Sequence, residues 1–253
     1  MTDAHSTSAV ELWLVDLDTC ADALELLEHE TPRLTLDERE RANALRDLRD
    51  RRSRLTTYCA LRLLLERIAG PGVRGRQLTR SVTGKPSLDG GGAEFSLSHI
   101  DDLALIAVSP AMTLGVDLER VRPVKMGPRH LAEITAIGKG LSDKPLPALG
   151  TERAFLQAWT RLEAFTKARG RGLAQTLADV GARGRGGRHR LSPAELQVRA
   201  RRIAHDAGLT VHDVPLPSAL HGAIAMPRGP RPLRAQAFPT DHAAIARLLG
   251  TLA

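Results

Sequence analysis

The chain opens on a short apolar, β-branched run over residues 11–17 (Glu-Leu-Trp-Leu-Val-Asp-Leu), which predicts a strand. From Thr35 the pattern becomes helical. Thr35 followed by Glu38 is a capping box, and it predicts a helix that carries Arg39, Arg41, Arg46 and Arg49. A second helix is predicted over about 51–69, with Leu55, Tyr58, Cys59, Leu61, Leu65 and Ile68 as its buried positions, and Gly70-Pro71-Gly72 stops it. A loop with Thr83-Gly84-Lys85-Pro86 and the glycines 90–92 follows. It leads into strands over 95–99 and 103–108, joined by an Asp101-Asp102 turn. Another strand is predicted over 113–119, a Gly/Pro loop over 138–150, and a helix over 151–169 that Gly170 and Gly172 close. Residues 181–187 read as a mobile Gly/Arg low-complexity segment. Ser192-Pro193 with Glu195 starts a helix, strands are expected over 209–216 and 222–226, and a tail rich in Pro and Arg ends the chain. This order describes an α+β protein. Two halves built alike would fit it, although no sequence repeat marks them.

With 253 residues, 42% of them hydrophobic, the chain can bury a sizeable core in one large domain or two small ones. Its longest apolar runs, 61–65 and 103–108, fall far short of the roughly 20 residues that span a membrane. Residues 1–10 lack a basic start followed by an apolar run, so no signal peptide is expected and the location is read as cytoplasmic. Cys20 and Cys59 have no metal spacing and form no disulfide framework, which suits reduced core residues. Charge changes the picture more. Lys and Arg number 36 against 29 Asp and Glu, a net +7, and such a field favours anionic partners: nucleic acid, polyphosphate cofactors or acidic proteins. Arginine and alanine richness from genome composition would give the same balance.

Three groups of residues can carry chemistry. Asp117 and Glu119 lie two apart on a predicted strand and so project from one face. Side by side they repel unless something positive sits between them. Mg²⁺ suits them, because it takes carboxylate oxygens and keeps water or phosphate as its other ligands. A solvated strand face neutralised by Arg120 and Arg122 is the plainer reading. Glu163 and Lys167 lie four apart on the helix, off the stripe of Phe155, Trp159, Leu162 and Phe165, and taken alone they are an ordinary surface pair. His99 closes Ser96-Leu97-Ser98-His99 at a strand end. There it can donate to a phosphate, or bond a nearby carbonyl as a turn histidine.

Together the pieces carry more than each alone. Gly84-Lys85-Pro86, then Phe95-Ser-Leu-Ser98-His99, Gly115-Val-Asp117-Leu-Glu119 and Trp159-Thr-Arg-Leu-Glu163-Ala-Phe-Thr-Lys167, in this order, resemble the 4′-phosphopantetheinyl transferase family in its larger, pseudo-dimeric Sfp-type class. The opening strand, the arginine-rich helices and Gly170-Arg-Gly172 extend the likeness over about 11–173. The resemblance implies two similar α/β halves related by a pseudo-twofold, 1–110 and 111–253, with coenzyme A in the cleft between them. It implies Mg²⁺ on Asp117, Glu119 and Glu163, with Glu163 taking the proton of a carrier-protein serine and Lys167 assisting release of 3′,5′-ADP. Lys85, Ser98 and His99 would contact the nucleotide phosphates and Arg41 the 3′-phosphate. The first half would thus hold the nucleotide, and the second the metal-binding strand and catalytic helix. The expected partners are coenzyme A and an apo acyl or peptidyl carrier protein, of the kind used in secondary metabolite biosynthesis. The expected unit is a monomer, with no nucleic-acid or membrane partner.

Some positions depart from the family pattern. Leu162 stands where Trp-x-x-Lys-Glu usually has lysine, and Ser53, flanked by Arg52 and Arg54, stands where an arginine is usual. Only Glu133 is available for a glutamate often found before the helix. Two alternatives stand beside this: a weakened member that binds coenzyme A or carrier without turnover, motivated by Leu162, and a basic nucleic-acid-binding protein, motivated by the net +7 and the Gly/Arg segment 181–187. The second has against it the 3% content of aromatic residues, which leaves few stacking platforms, and the lack of a helix-turn-helix or zinc pattern.

Overall fold

Strand β1 (Val10–Asp16) forms on the first apolar run and leads into α1 (Ala21–Glu30). The computed structural model describes residues 10–148, 150–182, 191–229 and 233–250. Helix α1 is not announced by the sequence, because its N-cap, Cys20, makes no side-chain capping bond. Its buried face is set by Ala21, Leu24 and Leu27 at helical spacing. Helix α2 (Leu36–Asn43) starts under the complete Thr35–Glu38 capping box. It ends before Arg46, and α3 (Leu48–Ala69) begins under a fresh cap, Asp47, whose carboxylate accepts from the Arg49 and Asp50 amides. The arginines expected on one helix are therefore divided: Arg39 and Arg41 on α2, Arg49 on α3, and Arg46 between them. Along α3, Tyr58, Cys59, Leu61 and Leu65 are buried, and Leu55 and Ile68 pack against the same core. Gly70 ends the helix at φ +77°, which a residue with a Cβ adopts only with strain.

Beyond a 3₁₀ turn, Pro71–Val73, two short strands pair antiparallel, β2 (Leu78–Arg80) and β3 (Pro86–Leu88). Next comes the hairpin of β4 (Glu94–Ile100) and β5 (Leu103–Ser109), with Asp101 at φ 42° in its turn. The second unit begins with β6 (Gly115–Arg120) and continues through α4 (Pro128–Gly140), α5 (Thr151–Arg169) and α6 (Leu173–Val180). Helix α7 (Pro193–Asp206) and strands β7 (Leu209–Asp213) and β8 (Leu220–Pro227) complete it. Its sheet is antiparallel throughout, in the order β6-β8-β7. The expected mobile segment, 181–187, lies outside the described residues beyond Ala182.

The expected loop over 138–150 is overturned in its first residues, which finish α4. Gly138 and Gly140 are contact points here, not helix breakers. A Cβ on Gly138 would lie 2.3 Å from the Ala158 carbonyl oxygen of α5, and one on Gly140 would lie 2.2 Å from the Gln197 carbonyl oxygen of α7. The tail also differs from expectation, since it contains β9 (Leu233–Ala237) and α8 (His242–Gly250). Both belong to the first unit, which gathers 1–80, 86–112 and 231–253, while 81–85 and 113–230 form the second. The first sheet has the order β4-β5-β1-β9, with β1 antiparallel to β5 and parallel to β9. Trp13 meets Phe238 edge to face, ring centroids 6.0 Å apart, in a core shared with Leu24, Leu61, Phe95 and Ile106. No helix among the described residues is long and apolar enough to cross a membrane.

Both cysteines are free and buried in this first core. Burial, chiefly, pushes each thiol up to about 12; Asp16 adds to this at Cys20 and Glu28 at Cys59. The folded chain thus prefers the neutral thiols, so this contribution to stability is fully present below pH 9 and is lost as pH rises toward 12. Iodoacetamide at pH 8 should leave both thiols unlabelled in the native protein and label both in urea, read by mass spectrometry. Native labelling at the rate seen in urea would contradict this burial.

Candidate active site

Strand β6 alternates between a buried pair, Val116 and Leu118, and the face that carries Gly115, Asp117 and Glu119. Helix α5 lies over that second face at van der Waals range. A Cβ on Gly115 would fall 2.2 Å from the Ala164 carbonyl oxygen and 2.4 Å from the Ala168 nitrogen. Only a residue without a side chain lets the helix approach so closely. Helix α5 itself follows its sequence: Phe155, Leu156, Leu162 and Phe165 are buried, and Gly170 closes it in the left-handed region at φ 63°. Trp159 stacks on Phe155 at the edge of this stripe. Glu163 and Lys167, four residues apart on another face, come down beside β6.

There Lys167 Nζ donates to Asp117 Oδ1 at 2.8 Å and to the Val116 carbonyl oxygen at 2.9 Å. Asp117 is only 6% exposed, so its charge has lost most of its water. Glu119 accepts from Arg122 at 3.2 Å. Burial, first, raises the Glu163 carboxyl above its ordinary value; Asp117 and Glu119 raise it further, and Lys167 opposes them. Burial also raises Glu119, with Asp117 adding and Arg122 opposing. Three acidic groups, drawn from two elements more than 40 residues apart in sequence, therefore feel one another's charge.

This donor set fits Mg²⁺ in its chemistry, being all carboxylate oxygen, with burial and mutual charge raising two of its members, Glu163 and Glu119. Among the described residues no three such side chains are drawn into a closed ligand cluster, and Lys167 now supplies the cation at Asp117.

The other expected residues divide between the units. Lys85 belongs with β6: its Nζ donates to the Leu114 carbonyl oxygen at 3.2 Å, and Thr83 of the same loop donates to the Gly170 carbonyl oxygen at 2.8 Å. Ser98 and His99 lie half-buried on β4 of the first unit, opposite Leu105 and Ala104. Arg41, in the last turn of α2, is exposed and donates to Asp37 at 2.7 Å. Other arginines of this region serve the fold. Arg62 pairs with Glu38, both nearly inaccessible, and Arg33 with Glu66. Ser53 donates to the Asp101 carbonyl oxygen at 3.0 Å, bracing the β4–β5 turn, and Glu133 pairs with Arg129 on α4.

The departure at 162 has a plain structural reason. Leu162 is fully buried in the second core with Phe165 and Ile137. Arg161 does not replace the usual lysine either: its side chain is inaccessible and bound bidentately to Asp213 at 2.6 and 2.7 Å. Sequence reasoning missed this group. Asp213 also accepts from Gln157, which in turn meets His221. A buried glutamine inside a helix was the only local sign; the partners lie 52 to 65 residues away.

Comparison with known proteins places the chain in a class: it belongs to the 4′-phosphopantetheinyl transferases and is an enzyme of that type. The 4′-phosphopantetheinyl transferase HetI of Nostoc sp. is 32% identical over 171 residues, covering 66% of this chain and 70% of that protein. A Synechocystis sp. protein that bears the same transferase name provisionally is 30% identical over 153 residues, covering 58% of this chain and 61% of its own. No family model matches the chain.

Proposed function

We propose that this transferase takes 4′-phosphopantetheine from coenzyme A and places it on a serine of an acyl or peptidyl carrier protein, with Mg²⁺ and release of 3′,5′-ADP. The observation that carries the reading is the convergence of Glu163 and Lys167 on Asp117 across the α5–β6 contact. Asp117, Glu119 and Glu163 are the residues that would hold Mg²⁺, which supplies neutralisation of the diphosphate charge. Glu163 accepts the proton of the serine hydroxyl as its oxygen bonds to the phosphorus bearing the pantetheine arm. The bond from that phosphorus to the bridging oxygen breaks, and the electron pair leaves with 3′,5′-ADP. Lys167 faces the departing charge. Lys85, Ser98 and His99 bind the nucleotide phosphates and Arg41 the 3′-phosphate, supplying affinity away from the reacting bond. The net charge of +7 favours capture of an acidic carrier. We take the working unit to be one chain, acting in the cytoplasm.

The experiment is direct. Purified protein, coenzyme A, Mg²⁺ and a panel of apo carriers from fatty acid, polyketide and peptide synthesis are incubated and the carriers weighed by mass spectrometry. At least one carrier should gain the mass of one phosphopantetheine, and omission of Mg²⁺ should suppress the gain. No mass gain across the panel at high enzyme would refute the reading.

A further inference from the structure

Strand β8 carries a histidine that the chemistry above does not use. His221 is 7% exposed and stands directly opposite Glu119 in the β6–β8 ladder. Facing residues of an antiparallel pair share one side of the sheet, with Cβ atoms about 5 Å apart. The imidazole Nδ1 lies 3.0 Å from Gln157 Oε1. The far end of that amide fixes which way it faces: its nitrogen is 2.9 Å from Asp213 Oδ1 and 3.2 Å from the Gly222 carbonyl oxygen, both pure acceptors. Asp213 is held in turn by the guanidinium of Arg161.

The amide therefore turns its oxygen to His221, so the ring hydrogen sits on Nδ1 and Nε2 of the neutral ring is a bare acceptor. Nε2 is buried and has no hydrogen-bond partner among the described residues. Leaving a buried acceptor unmet is costly. A chain of four residues that fixes one tautomer and leaves its lone pair idle calls for a donor from outside the protein, and water is the smallest.

We propose that His221 is a positioning residue: its Nε2 accepts a hydrogen bond from a water shared with Glu119, and so fixes where that carboxylate stands. This rests on the reading of Glu119 as one of the acidic ligands. The competing role is purely structural, through the Gln157 bond alone, and two substitutions separate them. His221→Asn keeps a donor near the Nδ1 position and loses Nε2, whereas His221→Gln reaches the Nε2 position and gives up the Gln157 bond.

We expect H221N to melt as the wild type does, with kcat down about 10- to 100-fold, as outer-shell losses at metal sites usually are, and KM for coenzyme A changed by less than about twofold. Mn²⁺, titrated without substrate and followed by its paramagnetic resonance signal, should bind H221N about 10-fold more weakly. H221Q should keep more of kcat than H221N while melting lower. Wild-type kcat and Mn²⁺ affinity in H221N would overturn the inference, as would equal losses in both variants. Should H221N not fold, the ¹⁵N-histidine spectrum of the wild type decides: hydrogen on Nδ1 is expected at His221, and hydrogen on Nε2 overturns the inference. An inactive wild type in the carrier assay would fault the proposed reaction instead, and the two failures are thereby distinguishable.

Discussion

Glu163→Gln should lose at least about 100-fold in kcat and be no less stable than the wild type. The loss follows from the two tasks given to this carboxylate: proton acceptor for the serine, a role generally worth 10²–10⁴, and oxygen ligand for the metal. The stability sign follows from its surroundings. Burial and the charges of Asp117 and Glu119 disfavour the ionised form, with Lys167 only in part compensating. Near neutrality an ionised Glu163 therefore costs the fold something, and a neutral isostere removes that cost. Most core-facing substitutions reduce activity and stability together. Here the two should move apart, as expected of a group kept in place for chemistry. Asp117→Asn should lose turnover to a similar degree. It should also lower the melting temperature, because Lys167 keeps the Val116 carbonyl but loses its anionic partner. The checks are steady-state rates with a responsive carrier and thermal melts without ligand. Near-normal rates in both variants would remove the metal assignment, and a sharply destabilised E163Q would remove the electrostatic argument.

What the sequence made legible divides along physical lines. Local signals survived into the structure. The Thr35 and Ser192 capping boxes sit at real helix starts, Gly170 closes α5, and the 95–108 hairpin pairs over its whole length. These are set by residues a few positions apart. Elements with muted local signals did not show: α1 starts on an uncapped cysteine, β2 and β3 span three residues each, and β9 needs β1 as a partner from the other end of the chain. Gly138 and Gly140 misled in a specific way, since a glycine that breaks a helix and one that lets two helices touch look alike in sequence. The site divides similarly. Spacing alone left Asp117 with Glu119, and Glu163 with Lys167, as ordinary pairs on a strand and a helix; the ordered resemblance to the transferase family is what singled them out as one site. Their meeting was expected from that resemblance alone, and what spacing could not show is how it is made: Gly115 lies under Ala164 and Ala168. The missing lysine at 162 left a cation short of the family pattern and motivated the weakened-member alternative; the leucine there is a core residue. A lysine put there would bury its amine among Phe165 and Ile137.

Gly115→Ala should have the larger structural effect, from a single methyl group. Its backbone is not in the left-handed region, so alanine brings no torsional strain, and the cost is one of space alone. The added carbon meets backbone atoms of α5 at 2.2 and 2.4 Å and the Lys167 Cβ at 2.9 Å, none of which can swing aside as a side-chain tip would. The helix must lift from β6. Overpacking of this kind typically costs about 1–3 kcal/mol, or about 2–4 °C in melting temperature for each kcal/mol in a chain of this size. The loss in kcat should exceed what destabilisation explains, because Glu163 and Lys167 ride on the part of the helix that is displaced. A shift near 1 Å at reacting groups can cost about 100-fold. Gly140→Ala is the control. It brings a clash of the same severity, 2.2 Å from the Gln197 carbonyl oxygen, but at the α4–α7 contact, away from the carboxylates. It should melt lower too, yet retain most of kcat when assayed below its transition. If G115A and G140A lose rate in equal measure, or if G115A melts and turns over like the wild type, the seating of α5 on β6 is not what brings the acidic side chains together.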